Sequence, residues 1–156
     1  MIDNYLQSHG IPFVRHEHPA VFTCEDAREH CGDIPGIACK NLLLKGKKSK
    51  KFFLLILPAE TRTDLKAFGE IINERVSFAS PEALKELLDL EPGAVSPFGL
   101  LNDSEKKVSV YIDRELYDAD IVGFHPNVNT ATIELSHIAF LNFLDSLDHD
   151  IHLVDF

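Results

Sequence analysis

Lys40 has a clear capacity for chemistry, because it opens an apolar run directly after a Pro35-Gly36 turn. Burial disfavours an ammonium group unless an anion lies near it, so a lysine placed there can bind a phosphate or a developing negative charge. The alternative is a structural lysine whose stem lies along the sheet edge and whose ammonium group reaches water. Lys40 alone does not decide between these two interpretations.

Two further segments carry polar groups next to apolar runs. Residues 91–103 form a second Gly/Pro turn that feeds an apolar run, so two loops with exposed backbone can lie side by side at strand ends, where pockets form. In residues 123–132, His125 stands at a predicted strand end and is followed by a proline and two asparagines. This loop can hydrogen-bond a ligand, although a histidine taken alone is more often structural.

The three cysteines, Cys24, Cys31 and Cys39, lack CxxC spacing, which argues against a disulfide framework and against a thiolate metal site. Cys39 lies beside Lys40, and a neighbouring cation lowers a thiol pKa. Adjacent residues on a strand point to opposite faces, however, so the sequence disfavours Cys39 as a nucleophile.

Histidines are spaced to share a metal ion at two places, His16 with His18 and His149 with His152. A stable site needs more ligands than two, and no third ligand is evident near either pair. The sequence therefore predicts no metal and no cofactor.

The composition is that of a globular protein, with 156 residues, 45% hydrophobic and 26% charged. A chain of this length suits one domain, here residues 1–156. No apolar run approaches the roughly 20 residues of a membrane span, and the first residues do not resemble a secretory signal. We therefore expect a cytoplasmic protein without a membrane partner.

The charge is unevenly distributed. The formal net charge of −10 disfavours sequence-independent binding of nucleic acid, which depends on lysine and arginine. Five lysines nevertheless crowd into residues 45–51, between two apolar runs. This segment is either a solvated hairpin tip or a local site for phosphate backbone on an otherwise acidic body.

Apolar periodicity and turn residues predict alternating short helices and strands. Asp64, Ser80 and Ser136 are predicted helix N-caps. The predicted helices are 3–9, 23–31, 63–73, 81–90 and 136–147, and the predicted strands are 13–18, 38–45, 51–57, 76–79, 98–101, 108–112, 121–125 and 130–135. The pattern indicates a single α+β domain with a twisted mixed or antiparallel central sheet flanked by helices.

Five sequence landmarks in this order resemble the prolyl-tRNA synthetase-associated editing domain family, also called YbaK-like. They are His18-Pro19-Ala20 with Thr23, Pro35-Gly36 leading to Lys40-Asn41-Leu42, Gly93 to Pro97, Phe98 to Asp103, and Phe124-His125-Pro126 with Asn129-Thr130. The Lys-Asn pair and the Ser-Pro-Phe-Gly loop are similar to the freestanding alanyl-tRNA(Pro) deacylases of this family. The cysteinyl-tRNA(Pro) branch usually has Lys-Thr and a Gly-Gly-Cys-Ser-Pro loop, which the sequence lacks at Ala94-Val95-Ser96.

The resemblance implies a trans-editing hydrolase that cleaves the ester between alanine and a tRNA(Pro) that should carry proline. It implies the YbaK-like fold, and it suggests that the substrate's own 2′-hydroxyl helps to activate water. The implied catalytic residues are Lys40, Asn41, Gly93 and Pro97; the implied substrate-binding residues are Lys45, Ala94, Ser96, Phe98, His125, Asn129 and Thr130.

Alternatives remain open at this point. Cysteine and serine are close to alanine in size, so a cysteinyl or seryl ester is a second candidate substrate. A non-catalytic module that binds the tRNA 3′ acceptor end or a synthetase would keep the basic segment and need no ordered pocket. The sequence leaves open the oligomeric state and whether the domain works free or docked to prolyl-tRNA synthetase.

Overall fold

The computed structural model describes residues 2–20, 25–26, 29, 32–92, 94–128 and 130–155. The predicted helix at 23–31 lies mostly outside these residues. None of the described helices is long and apolar enough to cross a membrane.

The described elements alternate along the chain much as the periodicity predicts. The helices are α1 (Ile2–Ser8), α2 (Leu65–Ile72), α3 (Pro81–Leu88), a 3-10 helix (Pro97–Asn102), α4 (Arg114–Tyr117) and α5 (His137–Leu147). The strands are β1 (Val14–Glu17), β2 (Ile37–Gly46), β3 (Phe52–Pro58), β4 (Val76–Phe78), β5 (Val108–Asp113), β6 (Ile121–Phe124), β7 (Ala131–Ser136) and β8 (Ile151–Val154).

The strands form one mixed sheet in the order β1-β7-β6-β2-β3-β5-β8, and β4 pairs with β2 beside this path. β2 and β3 form the predicted antiparallel hairpin, while β3–β5, β5–β8 and β2–β6 are parallel. β3 is apolar on both faces and lies at the centre of the sheet, as its sequence predicts. The predicted α+β fold with a mixed sheet flanked by helices is therefore confirmed.

Helices cover both faces of the sheet because each face has its own apolar cluster. On one face α1, α3, the 3-10 helix and α5 pack over residues such as Leu43, Leu54 and Val110. On the other face Phe68 of α2 packs over residues such as Leu44. Alternation along β2 thus assigns odd-numbered residues to the first face and even-numbered residues to the second.

Side-chain caps set the starts of three helices where the sequence predicts them. The Asp64 carboxylate accepts a hydrogen bond from the Ala67 amide at 3.0 Å, and Ser80 and Ser136 accept the corresponding bonds at the starts of α3 and α5. Asp3, at the start of the predicted helix 3–9, is not an N-cap: it lies inside α1, and its carboxylate pairs with Arg15 at 2.8 Å.

Two predictions about elements are wrong, and one strand was not predicted. Residues 98–101 belong to the 3-10 helix rather than a strand, because Ser96 caps the segment and Pro97 starts it. α3 stops at Leu88 rather than Leu90, since Asp89 has φ +56°, a left-handed conformation that ends the helix. The strand that was not predicted is β8, the edge strand beside β5.

A buried contact between a histidine and a carboxylate holds the turn that leads to β8. The Nε2 atom of His149 lies 3.0 Å from an Asp103 carboxylate oxygen, and both side chains are almost fully buried. His152 stacks on Tyr111 with ring centroids 4.6 Å apart. The two histidines therefore have separate structural contacts, and no group of three metal-ligating side chains occurs among the described residues.

Candidate active site

Parallel pairing places the first residues of β2 beside β6. Ile37 pairs with Val122 and Ala38 with Gly123, so the turn before β2 lies next to the start of β6, and the loop after β6 follows along this edge of β2. Gly36 has φ +93°, and a β-carbon on it would overlap the Ile121 carbonyl group. Only glycine allows the chain to enter β2 this close to β6.

Two adjoining cavities lie at this sheet edge. An inner cavity of about 80 Å³ is lined by Ile34, Pro35, Gly36, Ala38, Cys39, Ala59, Gly123, His125 and Thr132. An outer cleft of about 180 Å³ is lined by Cys39, Lys40, Asn41, Val95 and His125. His125 and Cys39 border both, so the two spaces form one small candidate site.

His125 is held as a neutral hydrogen-bond acceptor. Its Nδ1–H donates to the Ala131 carbonyl oxygen at 2.9 Å, because a carbonyl oxygen can only accept. Burial lowers the pKa of His125, and the neighbouring imidazole of His18 lowers it further. The neutral ring therefore keeps a lone pair on Nε2, which has no hydrogen-bond partner among the described residues.

The His125 ring contacts His18, which is in turn within hydrogen-bond distance of Thr132. The His18 ring meets the His125 ring edge-on, with centroids 6.1 Å apart. His18 Nδ1 donates to the Pro19 carbonyl at 2.9 Å, and its Nε2 lies 2.9 Å from the Thr132 hydroxyl oxygen. Thr132 itself lines the inner cavity, which links this chain of hydrogen bonds to the site.

Asn41 brings an uncommitted polar atom to the outer cleft. Asn41 is only 9% exposed, and its Oδ1 has no hydrogen-bond partner within the described part of the chain. A buried polar atom without a partner is costly, so such an atom in a cleft is suited to a ligand. Its neighbour Lys40 is half-buried and forms no ion pair with a described residue.

Lys40 and Asn41 approach the cleft from the two faces of β2. The pairing of β2 explains why they can do so. β6 pairs only with Ile37 and Ala38, and β4 pairs with residues 44–46 on the same edge. The stretch between them is not covered by a described strand there.

Lys45 is not brought to this cleft. It lies beyond Leu43, about 13 Å along the strand from Asn41. Its Nζ lies 5.5 Å from the centroid of the Phe52 ring, in a cation–π contact. The predicted contact of Lys45 with the substrate would have to be made outside the two cavities.

The loop that precedes the 3-10 helix contributes Val95 to the outer cleft. The Ser96 hydroxyl is fully buried, donating to Asn127 Oδ1 at 2.8 Å and accepting from the Phe98 amide at 3.2 Å. Phe98 is also fully buried and packs edge-on against Phe124 and Phe143. Neither side chain lines the two cavities, so the contacts of Ser96 and Phe98 with a substrate stay predictions.

The Ala94 amide is also committed. It donates to the Glu91 carbonyl at 3.1 Å, so it is not a free donor for an oxyanion.

The remaining predicted site residues lie apart from the two cavities or outside the described residues. Pro97 is buried at the start of the 3-10 helix. Thr130 is exposed, and its carbonyl accepts from the His18 amide at 3.0 Å. Gly93 and Asn129 lie outside the described residues, so their predicted roles stay predictions.

Cys39 is unsuited to nucleophilic catalysis. Its thiol contacts the Ile37 carbonyl oxygen at 3.5 Å, and burial raises its pKa far above the usual range. The thiol stays protonated, so Cys39 serves as an apolar wall between the two cavities. The structure thus supports the expectation from strand alternation that Cys39 is not a nucleophile.

Sequence reasoning missed Val95, Thr132, His18 and Asn127 as parts of the site or its support. Thr132 and His18 meet only because β1 pairs antiparallel with β7, with His16 opposite Thr132. The hydrogen bond of Asn127 to Ser96 joins residues 31 positions apart. No local pattern reveals such pairings, although the Asn127 position in a polar loop was a partial signal.

Comparison with known proteins places the chain among tRNA-editing proteins. Residues 18–143 match the family model of the aminoacyl-tRNA editing domain. The chain is 37% identical over 122 residues to the prolyl-tRNA editing protein ProX of Acetoanaerobium sticklandii, covering 78% of this chain and 74% of the relative.

A vertebrate relative and a solved structure extend the likeness to nearly the whole chain. Prolyl-tRNA synthetase associated domain-containing protein 1 of Danio rerio is 30% identical over 162 residues, covering 99% of this chain and 85% of the relative. A crystal structure provisionally assigned as a trans-editing enzyme for prolyl tRNA synthetase has a TM-score of 0.76 at 21% identity, covering 99% of this chain and 92% of the other. At 21% identity, the likeness to this crystal structure concerns the fold alone.

Proposed function

Because the chain belongs to the aminoacyl-tRNA editing domain family, we propose that it is a trans-editing hydrolase that cleaves the ester of mischarged Ala-tRNA(Pro). The observation that carries the proposal is the inner cavity of about 80 Å³ beside His125, which opens into the cleft with Lys40 and Asn41. The name of the ProX relative supports prolyl-tRNA editing as the biological setting.

The small cavity is suited to sorting by exclusion. Attraction to one methyl group is worth only about 1–3 kcal/mol, so a synthetase that must accept proline cannot reject alanine by affinity alone. A second site can reject proline if its walls do not move. The His125 ring is fixed by Ala131, and Gly36 is pressed against Ile121, so the cavity admits a methyl group and excludes a pyrrolidine ring.

The polar atoms of the site fit the amino group of an aminoacyl ester. Asn41 Oδ1 and His125 Nε2 are both acceptors without described partners, and they border the same cleft. An ammonium group carries three donors and no acceptor. We assign these two atoms to the α-ammonium group, which would orient the ester carbonyl toward Lys40.

The reaction needs little covalent chemistry from the protein. A water oxygen attacks the ester carbonyl carbon, the bond from that carbon to the ribose oxygen breaks, and the ribose oxygen takes up the proton. The ester is already activated, so orientation of the water and stabilisation of the oxyanion supply most of the rate. Among the described residues of the cleft, Lys40 and the side-chain amide nitrogen of Asn41 are candidate donors, because the Ala94 amide is engaged.

Among the described residues, the lining of the site includes no serine and no carboxylate, and its cysteine is protonated. His125 is neutral, but its Nε2 is assigned to the substrate's ammonium group. The family resemblance suggests that the substrate's 2′-hydroxyl helps to activate the water, which agrees with this arrangement. The partner of the site is then the 3′ acceptor end of tRNA(Pro). We include in the proposal a cytoplasmic location and action beside prolyl-tRNA synthetase.

A panel of charged tRNAs tests the proposal, with alanyl, cysteinyl, seryl and prolyl esters of tRNA(Pro) as substrates. We expect rapid single-turnover hydrolysis of the alanyl ester and sparing of the prolyl ester. Faster hydrolysis of the cysteinyl or seryl ester would transfer the assignment to that substrate. Binding without hydrolysis of any ester would make the protein a non-catalytic tRNA-binding module.

His125→Ala tests the exclusion mechanism in the same assay. Removing the ring enlarges the inner cavity, so we expect the prolyl ester to be hydrolysed about tenfold faster or more than by the parent protein. His152→Ala is the control, since His152 stacks on Tyr111 away from the site. If His125→Ala keeps full activity on the alanyl ester and still spares the prolyl ester, the steric role of His125 is wrong.

A further inference from the structure

The lysine-rich turn between β2 and β3 is an ordered structure with a carboxylate at its centre. One oxygen of Glu74 accepts hydrogen bonds from the Lys48 amide at 3.0 Å and the Ser49 amide at 2.9 Å. The Lys50 amide closes the turn on the Gly46 carbonyl at 3.0 Å. A β-carbon on Gly46 would overlap the Glu74 carboxylate, so the close approach depends on glycine.

The carboxylate of Glu74 is used mainly on the backbone of the turn. Hydrogen bonding from the Ser49 amide lowers the pKa of Glu74, and the charge of Lys48 adds to this shift. Lys47, Lys48, Lys50 and Lys51 are all exposed, and none forms an ion pair with a described residue. Elsewhere Lys85 pairs with Asp89 at 2.7 Å and Lys107 with Glu105 at 3.0 Å. In the described part of the chain, the turn therefore presents exposed lysines without close ion-pair partners on a protein whose net charge is −10.

The fold adds two more cations to this turn. The Lys47 amide donates to the Arg75 carbonyl at 2.8 Å, which joins the turn to the segment before β4. Arg75, Lys66 of α2 and Lys47 line one open groove of about 630 Å³. We call the set Lys47, Lys48, Lys50, Lys51, Lys66 and Arg75 the basic surface.

β2 connects the basic surface to the candidate active site. Asn41 lies in the cleft and Lys47 follows the end of the same strand, a separation of about 20 Å. A tRNA carries its ester on a single-stranded 3′ end that projects from a duplex stem. The cleft is too small for a duplex, so the stem must rest elsewhere while the single strand reaches Lys40 and Asn41.

We propose that the basic surface binds the phosphate backbone of the tRNA acceptor stem, and that Glu74 is a positioning residue that holds the lysines of the turn in place. The proposal rests on the proposed function for its substrate. The acidic remainder of the protein repels RNA, so one local basic surface would also set the orientation of the stem.

Removal of Glu74 should raise the affinity for RNA if only its negative charge matters, and lower it if Glu74 positions the turn. Glu74→Ala removes a negative charge, which alone would strengthen RNA binding. We expect instead that affinity for uncharged tRNA falls by about fivefold to tenfold, because the freed turn must be ordered on binding. Glu74→Gln keeps the accepting oxygen and should restore most of the affinity.

Glu70→Ala is the matched control, since Glu70 lines the same groove and forms no hydrogen bond to the turn. We expect it to leave tRNA affinity unchanged or to raise it slightly. Stronger binding by Glu74→Ala, equal to that of Glu70→Ala, would overturn the positioning role. A thermal unfolding curve of each variant checks that the domain stays folded.

Lysine variants test the contact with the stem. Lys47→Gln and Lys48→Gln should each lower the slope of log affinity against log salt by about 1. Lys85→Gln removes the same charge from α3, on the opposite face of the sheet, and should leave the slope unchanged. Unchanged salt slopes in both turn variants would overturn the proposal.

A short alanylated oligonucleotide that ends in CCA and has no duplex separates this proposal from the proposed function. We expect Lys47→Gln and Lys48→Gln to hydrolyse it at the parent rate while losing activity on full-length Ala-tRNA(Pro). Equal losses on both substrates would place the lysines at the 3′ end and refute stem binding. Failure of the parent protein to hydrolyse either substrate would refute the proposed function, whereas the tRNA-binding result would still decide the role of the basic surface.

Discussion

Lys40 differs from the lysines of the turn because it is half-buried and borders the outer cleft. We expect Lys40→Ala to slow single-turnover hydrolysis of the alanyl ester about 100-fold or more, the usual loss when one preorganised stabiliser of an oxyanion is removed. Rapid-quench measurement with saturating protein isolates the chemical step. Lys85→Ala serves as an exposed control outside the basic surface, and a near-normal rate for Lys40→Ala would return Lys40 to a structural role.

The ionisation of His125 should determine how hydrolysis of the alanyl ester declines at acid pH. Burial lowers the pKa of its imidazole, so the ring stays neutral, with Nε2 able to accept, below the pH at which an ordinary histidine becomes charged. Hydrolysis of the alanyl ester should therefore persist as the pH falls through about 6.5 and decline only below it. The profile of single-turnover rate between pH 4.5 and 7.5 measures this.

His125→Asn identifies the group responsible for the decline. The variant lacks the titrating imidazole, so the inflection that belongs to His125 should disappear from its profile. A parent inflection at or above the ordinary pKa of histidine would contradict the neutral-acceptor role.

At the scale of elements, one hydrogen bond ties the two loops that form opposite walls of the site. Ser96 precedes the 3-10 helix and Asn127 follows β6, and their side chains meet at 2.8 Å. Asn127→Ala removes this bond, so the walls that carry Val95 and His125 are less firmly held. We expect discrimination between alanyl and prolyl esters to fall about fivefold, which corresponds to one ordinary hydrogen bond.

A double-mutant cycle measures the coupling of the two loops. Ser96→Ala and Asn127→Ala break the same hydrogen bond, so their effects on discrimination should be less than additive. Asn102→Ala is the control, because Asn102 donates to the Leu88 carbonyl at 2.8 Å without joining the two walls. Fully additive losses would show that the loops act independently.

Local sequence signals predicted the elements that local physics determines. The β2–β3 hairpin follows from two apolar runs around a polar turn, and the caps at Asp64, Ser80 and Ser136 follow from side chains that accept backbone hydrogen bonds. β8 escaped prediction because its four residues acquire strand structure only by pairing with β5. That contact is tertiary and leaves no local pattern.

The candidate site was predictable to the same extent. Lys40 and Asn41 follow a Gly/Pro turn and His125 follows a strand, and the structure brings the three residues to one cleft. The resemblance to the family assigns Ser96 and Phe98 to the substrate, but a loop sequence does not reveal which side chains point inward. Their burial depends on packing against Asn127 and Phe124.

At the scale of the whole molecule, the sheet separates two apolar cores of different size. The core beneath α2 is the smaller, and Phe68 is its fully buried centre, edge-on to Phe53 and Tyr111 with centroids 5.9 and 5.1 Å away. Phe68→Ala should lower the free energy of unfolding by about 3–5 kcal/mol, because it leaves a cavity in the packed core. Urea denaturation measures this loss.

The control is Phe78→Ala on β4, where the ring is 59% exposed. We expect it to change the free energy of unfolding by less than about 1 kcal/mol. Equal losses for the two variants would mean that α2 does not pack on the sheet as described. The same comparison shows whether the packing of α2, which carries Lys66, depends on the core around Phe68.

The length of β2 is constrained more tightly than its side chains. Deleting one residue between Asn41 and Lys45 would turn every later side chain to the other face, moving leucines of one core into the other. The deletion would also draw the turn about 3 Å toward the cleft, so that a bound stem would no longer deliver its terminal nucleotide to Lys40. Evolution can therefore exchange amino acids along this strand far more readily than it can insert or delete them.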